Sequence, residues 1–268
     1  MILESITIYP VKALRGVPVQ EATVEPWGLA GDRRWMVVDS AGRCLTQREV
    51  PGMTAVAAAL DDAGVTLSAP GMHPLHVPAP DRPAEVTIWG GRVPAQEAGP
   101  DAATWLTSIL GHPCRLVHMG NPAAARPLDA AYAQPGDTVS FADGFPLLAI
   151  NTASLDDLNA RLAQPVPANR FRSNLVVSGT PAWAEDGWRL LRVGGMSFRV
   201  PKPCARCVVI TVDQDTGTKP RDREPLRTLT GFRGDGAGHV LFGQNLVPDG
   251  KGRIAVGMSV EAAADTAG

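Results

Sequence analysis

The sequence predicts a mainly β, barrel-like protein with a few helices, and three observations support this. Apolar and polar residues alternate over short stretches, for example in residues 4–9, which is typical of a strand with one buried face. The chain contains 24 prolines and 28 glycines, so turns are frequent and long helices are few. Only two segments have helical spacing. Short strands separated by turns favour a barrel or a sandwich.

Strand-length segments occur in both halves of the chain. The first half has them at 4–9, 35–38, 43–47, 55–60, 65–68 and 86–89, with a hairpin turn at 39–42. The second half has them at 174–178, 188–193, 196–200, 207–212, 239–242 and 253–256. A weakly marked break near 112–120 divides the chain into two expected domains, residues 1–118 and residues 119–268.

Two helices are expected between these groups of strands. Asp101 is the expected N-cap of the first, in which Trp105 and Leu106 lie on the apolar face and Gly111 ends the helix. Ser154 is the expected N-cap of the second, which ends before residues 165–167 (PVP). Both have the spacing of ordinary scaffold helices.

Composition restricts the classes of function. A net charge of -2 argues against a general binder of nucleic acid or of membrane surfaces. No apolar stretch is long enough to span a bilayer, and the N-terminus lacks the pattern of a secretory signal. Cys44, Cys114, Cys204 and Cys207 are not spaced like a disulfide framework. We therefore expect a cytoplasmic protein with reduced thiols.

The pair Cys204 and Cys207 carries the most chemical information. A zinc site needs two more ligands, and no second pair or histidine spacing supplies them. A thioredoxin-like dithiol opens a helix, whereas the β-branched segment 207–212 predicts a strand. One thiolate could instead bind a soft metal, with Lys202 and Arg206 favouring the ionised form. Spacing alone favours a fourth interpretation, a structural pair at a strand edge.

The segment 201–217, PKPCARCVVITVDQDTG, resembles the C-terminal motif of the MOSC (molybdenum cofactor sulfurase C-terminal) domain family. It is most similar to the branch that contains the mitochondrial amidoxime-reducing component and its bacterial relatives. The resemblance continues in order along nearly the whole chain, at 9–16, 29–39, 141–159, 169–179, 223–229 and 241–245. It implies an N-terminal MOSC β-barrel domain over 1–118 and a MOSC β-barrel domain over 119–268.

The resemblance also implies a cofactor, molybdenum held by molybdopterin, with Cys207 as the protein ligand of the metal. The other residues it implies for cofactor binding are Lys12 and Arg33 for the phosphate, Asp143, Arg172, Ser173 and Asn174 for the pterin, and Gln244 and Asn245 near the metal. Where the family often has a serine, this chain has Ala13, so a contact there would use backbone groups. Simpler interpretations stay open: Arg33 as a charged strand start, and Arg172 paired with Asp156 or Asp157.

As a function, the resemblance implies a molybdenum-dependent oxidoreductase that reduces N-hydroxylated compounds: hydroxylamines, amidoximes and N-hydroxylated bases. Because the sequence has no dinucleotide fingerprint, haem motif or iron–sulfur cysteine set, electrons are expected from a separate ferredoxin, flavodoxin or cytochrome with its reductase. Pyridoxal phosphate binding is a further association of the family. Two alternatives are a non-catalytic cofactor carrier or sulfur-transfer module, and a plain β-barrel binding protein with a structural cysteine pair.

Overall fold

A computed structural model describes residues 1–264, and it is mainly β as predicted. In the first half the strands are β1 Ile2–Ile8, β2 Val11–Lys12, β3 Val17–Val19, β4 Glu21–Glu25, β5 Gly28–Leu29, β6 Trp35–Asp39, β7 Ala57–Leu60, β8 Gly64–Ser68, β9 Leu75–Pro78, β10 Pro83–Ile88, β11 Gly91–Glu97 and β12 Cys114–His118. In the second half they are β13 Leu147–Asn151, β14 Leu175–Ser178, β15 Leu190–Val193, β16 Met196–Arg199, β17 Pro203–Arg206, β18 Val240–Pro248, β19 Gly252–Ala255 and β20 Val260–Ala263.

These strands form four sheets. The largest has nine strands in the order β20-β15-β16-β18-β13-β14-β1-β3, with β17 also paired to β18. A five-stranded sheet has the order β10-β11-β12-β6-β2, and two three-stranded sheets contain β19-β4-β5 and β7-β8-β9. Within the described residues each pairing path ends in edge strands, so the sheets are open and do not form closed barrels.

The first strand of the chain belongs to the sheet of the second half. Strand β1 pairs antiparallel with β14, for example Ile6 with Leu175. Buried side chains from both halves, such as Leu3, Val24 and Phe198, share one core cluster. The pairing places the segment after β1 beside the segment before β14, which is where the candidate site lies. The boundary at residues 118/119 stays a prediction.

Both expected helices are present, but their N-caps were wrongly predicted. Helix α1 spans Pro100–Leu110 with Gly99 at the N-cap, so Asp101 lies in the first turn. A short α2 follows at Pro122–Ala125. Helix α3 spans Thr152–Asn159, and the Asn151 side chain accepts from the amide of Ala153. Ser154 is inside α3, where its hydroxyl donates to Glu185 at 2.8 Å. A last short helix, α4, spans Leu226–Thr230.

Two expected strands were also wrong. The β-branched segment after Cys207 forms a 3-10 helix, Val208–Thr211, closed by the Thr211 hydroxyl, which donates to the Val208 carbonyl at 2.8 Å. Ile210 is thereby buried in a core cluster with Phe171, so tertiary packing overrides β propensity. Segment 43–47 makes only isolated bridges, to Val38 and Thr87.

No helix in residues 1–264 is long and apolar enough to cross a membrane.

Candidate functional site

A cleft of about 300 Å³ collects residues from distant parts of the chain, including Lys12, Arg33, Asp143, Arg172 and Cys207. It lies where the segment after β1 meets the segment before β14. Six non-glycine residues among those described have positive φ, and four of them line this cleft: Ala13, Arg33, Trp89 and Arg172. Backbone in this region is unfavourable for residues with a Cβ and concentrates at functional sites. The strain therefore marks the cleft as the candidate site.

The thiol of Cys207 opens into this cleft. Cys207 is exposed, whereas Cys204 is partly buried. The Arg206 guanidinium donates to the Cys204 sulfur at 3.0 Å and to the Phe171 carbonyl at 2.7 Å, so its nearest sulfur is that of Cys204. Lys202 lies farther off, with its ammonium 4.3 Å from the centre of the Tyr132 ring. Both cysteines line the cleft, and Cys207 is the more exposed of the two.

Lys12 and Asp143 form an ion pair in the lining of the cleft. The buried ammonium of Lys12 donates to Asp143 at 2.5 Å and to the Phe141 carbonyl at 2.8 Å. Desolvation by the surrounding residues raises the pKa of Asp143, although its side chain is still 73% exposed. Lys12 and then Arg33 outweigh this effect and hold the pKa of Asp143 well below its usual range. The Arg126 guanidinium donates to the backbone carbonyls of Ala142 and Asp143. Asp143 is therefore an ionised hydrogen-bond acceptor, and the hydrogen bonds from Arg126 hold its loop in place.

Arg33 is held by a buried polar network. Its guanidinium donates to Asp32 at 2.5 Å and to the Asn174 side-chain oxygen at 3.0 Å. The Asn174 amide nitrogen donates to Asp32 and to the Thr7 carbonyl, both at 3.1 Å. Burial lowers the pKa of Arg33, while Asp32 and Tyr9 more than restore it, so it is raised overall. Arg33 is thus fixed as a permanent cation, which is more than a charged strand start.

Arg172 lies beside Arg33, and Tyr9 touches both. The two guanidinium carbons are each 4.4 Å from the centre of the Tyr9 ring, a cation–π distance. Arg172 donates to the Leu14 carbonyl at 2.8 Å and to Gln214 at 3.1 Å. Burial, together with the nearby Arg33, lowers the pKa of Arg172 to about 10. A partner in Asp156 or Asp157 is therefore not used.

Seven of the nine residues predicted for the site line the cleft: Lys12, Arg33, Asp143, Arg172, Asn174, Cys207 and Asn245. The other two are buried nearby. The Ser173 carbonyl accepts from the Tyr9 hydroxyl at 3.2 Å, and Gln244 donates to Asp186 at 3.3 Å. Asn245 donates to the carbonyls of Lys202 and Pro203, which holds the strand that leads to Cys204. The cofactor roles of all nine stay predictions.

Sequence reasoning missed three residues of the site. Arg48 and Trp89 line the cleft, and Tyr9 supports it from beneath. Arg48 follows a segment wrongly predicted as a strand, and Trp89 was taken as the end of a strand. Tyr9 lies within the motif 9–16, in which only Lys12 was predicted for the site. An aromatic residue three positions before a proposed anion-binding lysine is the signal that could have identified it.

The charges of the cleft favour an anionic ligand. Five cationic side chains line it, those of Lys12, Arg33, Arg48, Arg172 and Arg206, against the single carboxylate of Asp143. Asp32, buried beneath, balances Arg33. Buried like charges are costly unless an anion joins them. The Nε of Arg206 is buried and makes no hydrogen bond within residues 1–264.

Among the described residues no cluster of three or more His, Cys, Asp or Glu side chains could hold a metal ion. A soft metal in the cleft can bind the exposed Cys207 thiolate together with ligands from a cofactor. A dithiolene pterin with a phosphate tail supplies such ligands, and its phosphate and ring nitrogens match the cations and the Asp143 acceptor. The residues present fit a molybdenum–pterin cofactor.

Fold and site together define a β protein with a cationic cleft and one exposed thiol. Comparison with known families narrows this class: residues 1–113 match the MOSC N-terminal beta barrel domain, and residues 136–261 match the MOSC domain. The human mitochondrial amidoxime-reducing component 1 is 35% identical over 93% of this chain and 79% of its own length. The chain therefore belongs to the family of MOSC-domain proteins that contains the mitochondrial amidoxime-reducing components.

Two further relatives by sequence agree with this assignment. The mitochondrial amidoxime reducing component 2 of Rattus norvegicus is 35% identical over 86% of this chain and 72% of its own length. A molybdenum cofactor sulfurase of Oryza sativa subsp. japonica is 32% identical over 90% of this chain and 32% of its own length. The solved YuaD protein from Bacillus subtilis has a TM-score of 0.48 and 9% identity, covering 97% of this chain and 93% of that chain. The family relatives support a function related to the molybdenum cofactor.

Proposed function

We propose that this chain binds the molybdenum cofactor with the Cys207 thiolate as metal ligand and reduces N-hydroxylated compounds. The observation that carries the proposal is the placement of one exposed thiol in the same cleft as three buried or half-buried cations, Lys12, Arg33 and Arg172. Amidoxime-reducing relatives at 35% identity support the type of reaction. We also propose a cytoplasmic location.

In the proposed reaction an N–O bond of a hydroxylamine or amidoxime breaks. Two electrons and two protons enter, and the products are the amine or amidine and water. The cofactor supplies the two-electron chemistry when bound. The chain's own groups bind and orient: Lys12, Arg33 and Arg172 hold the anionic part, because charge-assisted hydrogen bonds to phosphate are strong. Asp143, ionised at neutral pH, accepts hydrogen bonds and donates no proton.

The cysteine substitutions test the metal ligand. Cys207→Ser should abolish N-reduction and the bound molybdenum, because an alcohol is a poor ligand for a soft metal. Cys204→Ser is the matched control, since its sulfur faces Arg206, and it should keep most of both. Metal analysis and benzamidoxime reduction with reduced viologen measure the two properties. Equal loss in both variants, or activity without Cys207, contradicts the assignment.

A separate electron donor is part of the proposal. We expect a ferredoxin, flavodoxin or cytochrome with its own reductase to reduce the protein. Purified protein should reduce benzamidoxime or hydroxylaminopurine with reduced viologen, and with NADH only after a donor and its reductase are added. Turnover with NADH alone would reveal a redox site that the proposal lacks.

A second candidate function is cofactor carriage or sulfur transfer. The match to a molybdenum cofactor sulfurase over 90% of this chain favours it. A molybdenum-loaded protein that fails to turn over any N-hydroxylated compound with reduced viologen, yet passes cofactor or sulfur to another molybdenum protein, would decide for this function.

A further inference from the structure

A second cavity of about 190 Å³ adjoins the cleft, and Lys12 is the one residue of its lining that is predicted to bind the cofactor. The two share Lys12, Thr46, Arg48 and Trp89. The remaining walls of the second cavity come from the hairpin turn after β10 and from the segment 43–49. A ligand that touches Arg48 or Trp89 can therefore occupy both spaces at once.

Trp89 is the most exposed large hydrophobic side chain among the described residues, at 63%. It occupies the turn of the β10–β11 hairpin, between the paired residues Ile88 and Gly91. Its φ is 52°, left-handed, and Gly90 follows with φ 81°. A two-residue turn of this kind favours asparagine or glycine at its first position. Left-handed backbone at a tryptophan and an exposed indole are both unfavourable in a folded protein. This combination points to a ligand that contacts Trp89.

The Arg48 side chain packs against the indole of Trp89. Its guanidinium carbon is 5.1 Å from the centre of the Trp89 ring, and its Nε donates to the Thr46 hydroxyl at 3.3 Å. Lys219 donates to the Arg48 carbonyl at 2.5 Å and fixes the backbone. Arg43, on the other wall of the cavity, is paired with Asp39. Glu49, which also lines this cavity, and Asp143 both interact electrostatically with Arg48, but neither forms an ion pair with it. No ion pair to Arg48 occurs within residues 1–264, so a ligand anion can still contact its guanidinium.

We propose that Trp89 and Arg48 form a subsite for planar aromatic substrates that carry a negatively charged group. The ring stacks on the open face of Trp89, and the anionic group meets Arg48 in the second cavity. Because this cavity shares four lining residues with the cleft that contains Cys207, the opposite end of the molecule extends toward that thiol. The inference rests on the proposed N-reduction and names the substrates that this reaction selects.

Three amidoximes separate the two contacts. Acetamidoxime has neither ring nor charge, benzamidoxime has the ring, and 4-carboxybenzamidoxime has both. Reduced viologen supplies electrons, so that docking of a donor protein cannot affect the result. In the holoenzyme the KM of the carboxylated compound should be about tenfold below that of benzamidoxime, as expected for a charge-assisted contact.

Two substitutions assign the contacts. Trp89→Ala should lower the ratio of kcat/KM for benzamidoxime over acetamidoxime about tenfold, since stacking on an aromatic side chain has this order of effect. Trp89→Phe should retain most of the ratio. Arg48→Gln should remove the preference for the carboxylated compound over benzamidoxime. Arg92→Gln is the matched control, because Arg92 lies on the same hairpin, pairs with Glu85 and lines neither cavity.

A binding measurement separates this inference from the reductase proposal. 4-Carboxybenzamidoxime should quench indole fluorescence in the wild-type protein and not in Trp89→Phe. Quenching without turnover of any amidoxime leaves the subsite standing and refutes the reductase. Turnover with the same ratios in wild type, Trp89→Ala and Arg48→Gln refutes the subsite. An equal loss with acetamidoxime also refutes it, because Trp89 would then support the cleft in general.

Discussion

Replacing Arg172 with methionine should weaken cofactor binding and leave the cofactor-free protein about as stable as before. The pKa of Arg172 is lowered to about 10 from 12.5, which corresponds to about 3 kcal/mol against the charged form. Three contacts oppose this penalty: the hydrogen bonds to Leu14 and Gln214 and the stacking on Tyr9. At about 1 kcal/mol each they nearly cancel it. The free energy of unfolding should change by no more than about 1 kcal/mol.

When the cofactor is bound, Arg172 should gain a further contact, a hydrogen bond to the anion. A charge-assisted hydrogen bond to an anion contributes about 1.5–3 kcal/mol, so Arg172→Met should weaken retention tenfold or more. The difference in Tm between loaded and cofactor-free protein should narrow by about 4–8 °C, the size expected for about 2 kcal/mol in a chain of this length. Molybdenum per chain should fall, with activity per bound metal nearly unchanged.

Arg170→Met is the matched control for this experiment. Arg170 lies two positions earlier, is buried, pairs with Asp213 at 2.8 Å and does not line the cleft. Its replacement should destabilise loaded and cofactor-free protein alike. If Arg172→Met destabilised the cofactor-free protein by 3 kcal/mol or more, or left the Tm difference unchanged, the anion-binding role would be wrong.

Three further predictions concern other parts of the molecule. Tyr9→Leu should reduce molybdenum per chain at least fivefold, because both stacked guanidiniums lose their support, whereas Tyr9→Phe keeps the ring and should retain most of the metal. Burial, with the nearby Arg34, lowers the pKa of His118 to about 4 from 6.5. Between these two values the unfolded chain binds the extra proton, so stability should fall from pH 6.5 to pH 4 by about 2 kcal/mol, after allowance for residual solvent contact. Urea unfolding should show a smaller loss in His118→Gln, and equal loss would exclude His118 as the cause. Gly243→Ala should destabilise by about 2 kcal/mol or more, because the Gly243 φ is 77° and a Cβ would lie 2.7 Å from the Ala149 carbonyl oxygen. A shift in the urea midpoint measures this loss, and a stable variant would mean that the strand relaxes.

The strands with strict alternation were predictable, and those that depend on distant partners were not. Residues 4–9 and 174–178 were expected as strands, yet no local signal shows that they pair with each other. The segment after Cys207 has strong β propensity, but burial of Ile210 bends it into a 3-10 helix. The N-cap of α3 was misassigned because Ser154 and Asn151 are both good caps, and Glu185 binds the serine.

For the site, charge and motif were sufficient to select Lys12, Arg33 and Arg172. They were insufficient for residues whose importance lies in geometry. Trp89 has no distinguishing neighbours in the sequence, and its left-handed turn becomes visible only once the hairpin is built. Ser173 was selected with its neighbours, but it lies outside the lining of the cleft, whereas Asn174, which is also buried, is part of that lining.

The pairing of β1 with β14 has a consequence for how the protein is made. The first strand leaves the ribosome long before its partner at Leu175–Ser178 exists. At about 5–20 residues per second, it waits roughly 10–30 seconds with its backbone donors and acceptors unpaired. During this interval residues 2–8 present a bare edge to any other nascent strand. The cleft residues Lys12 and Arg172 can therefore come together only after synthesis has passed the second of these two strands.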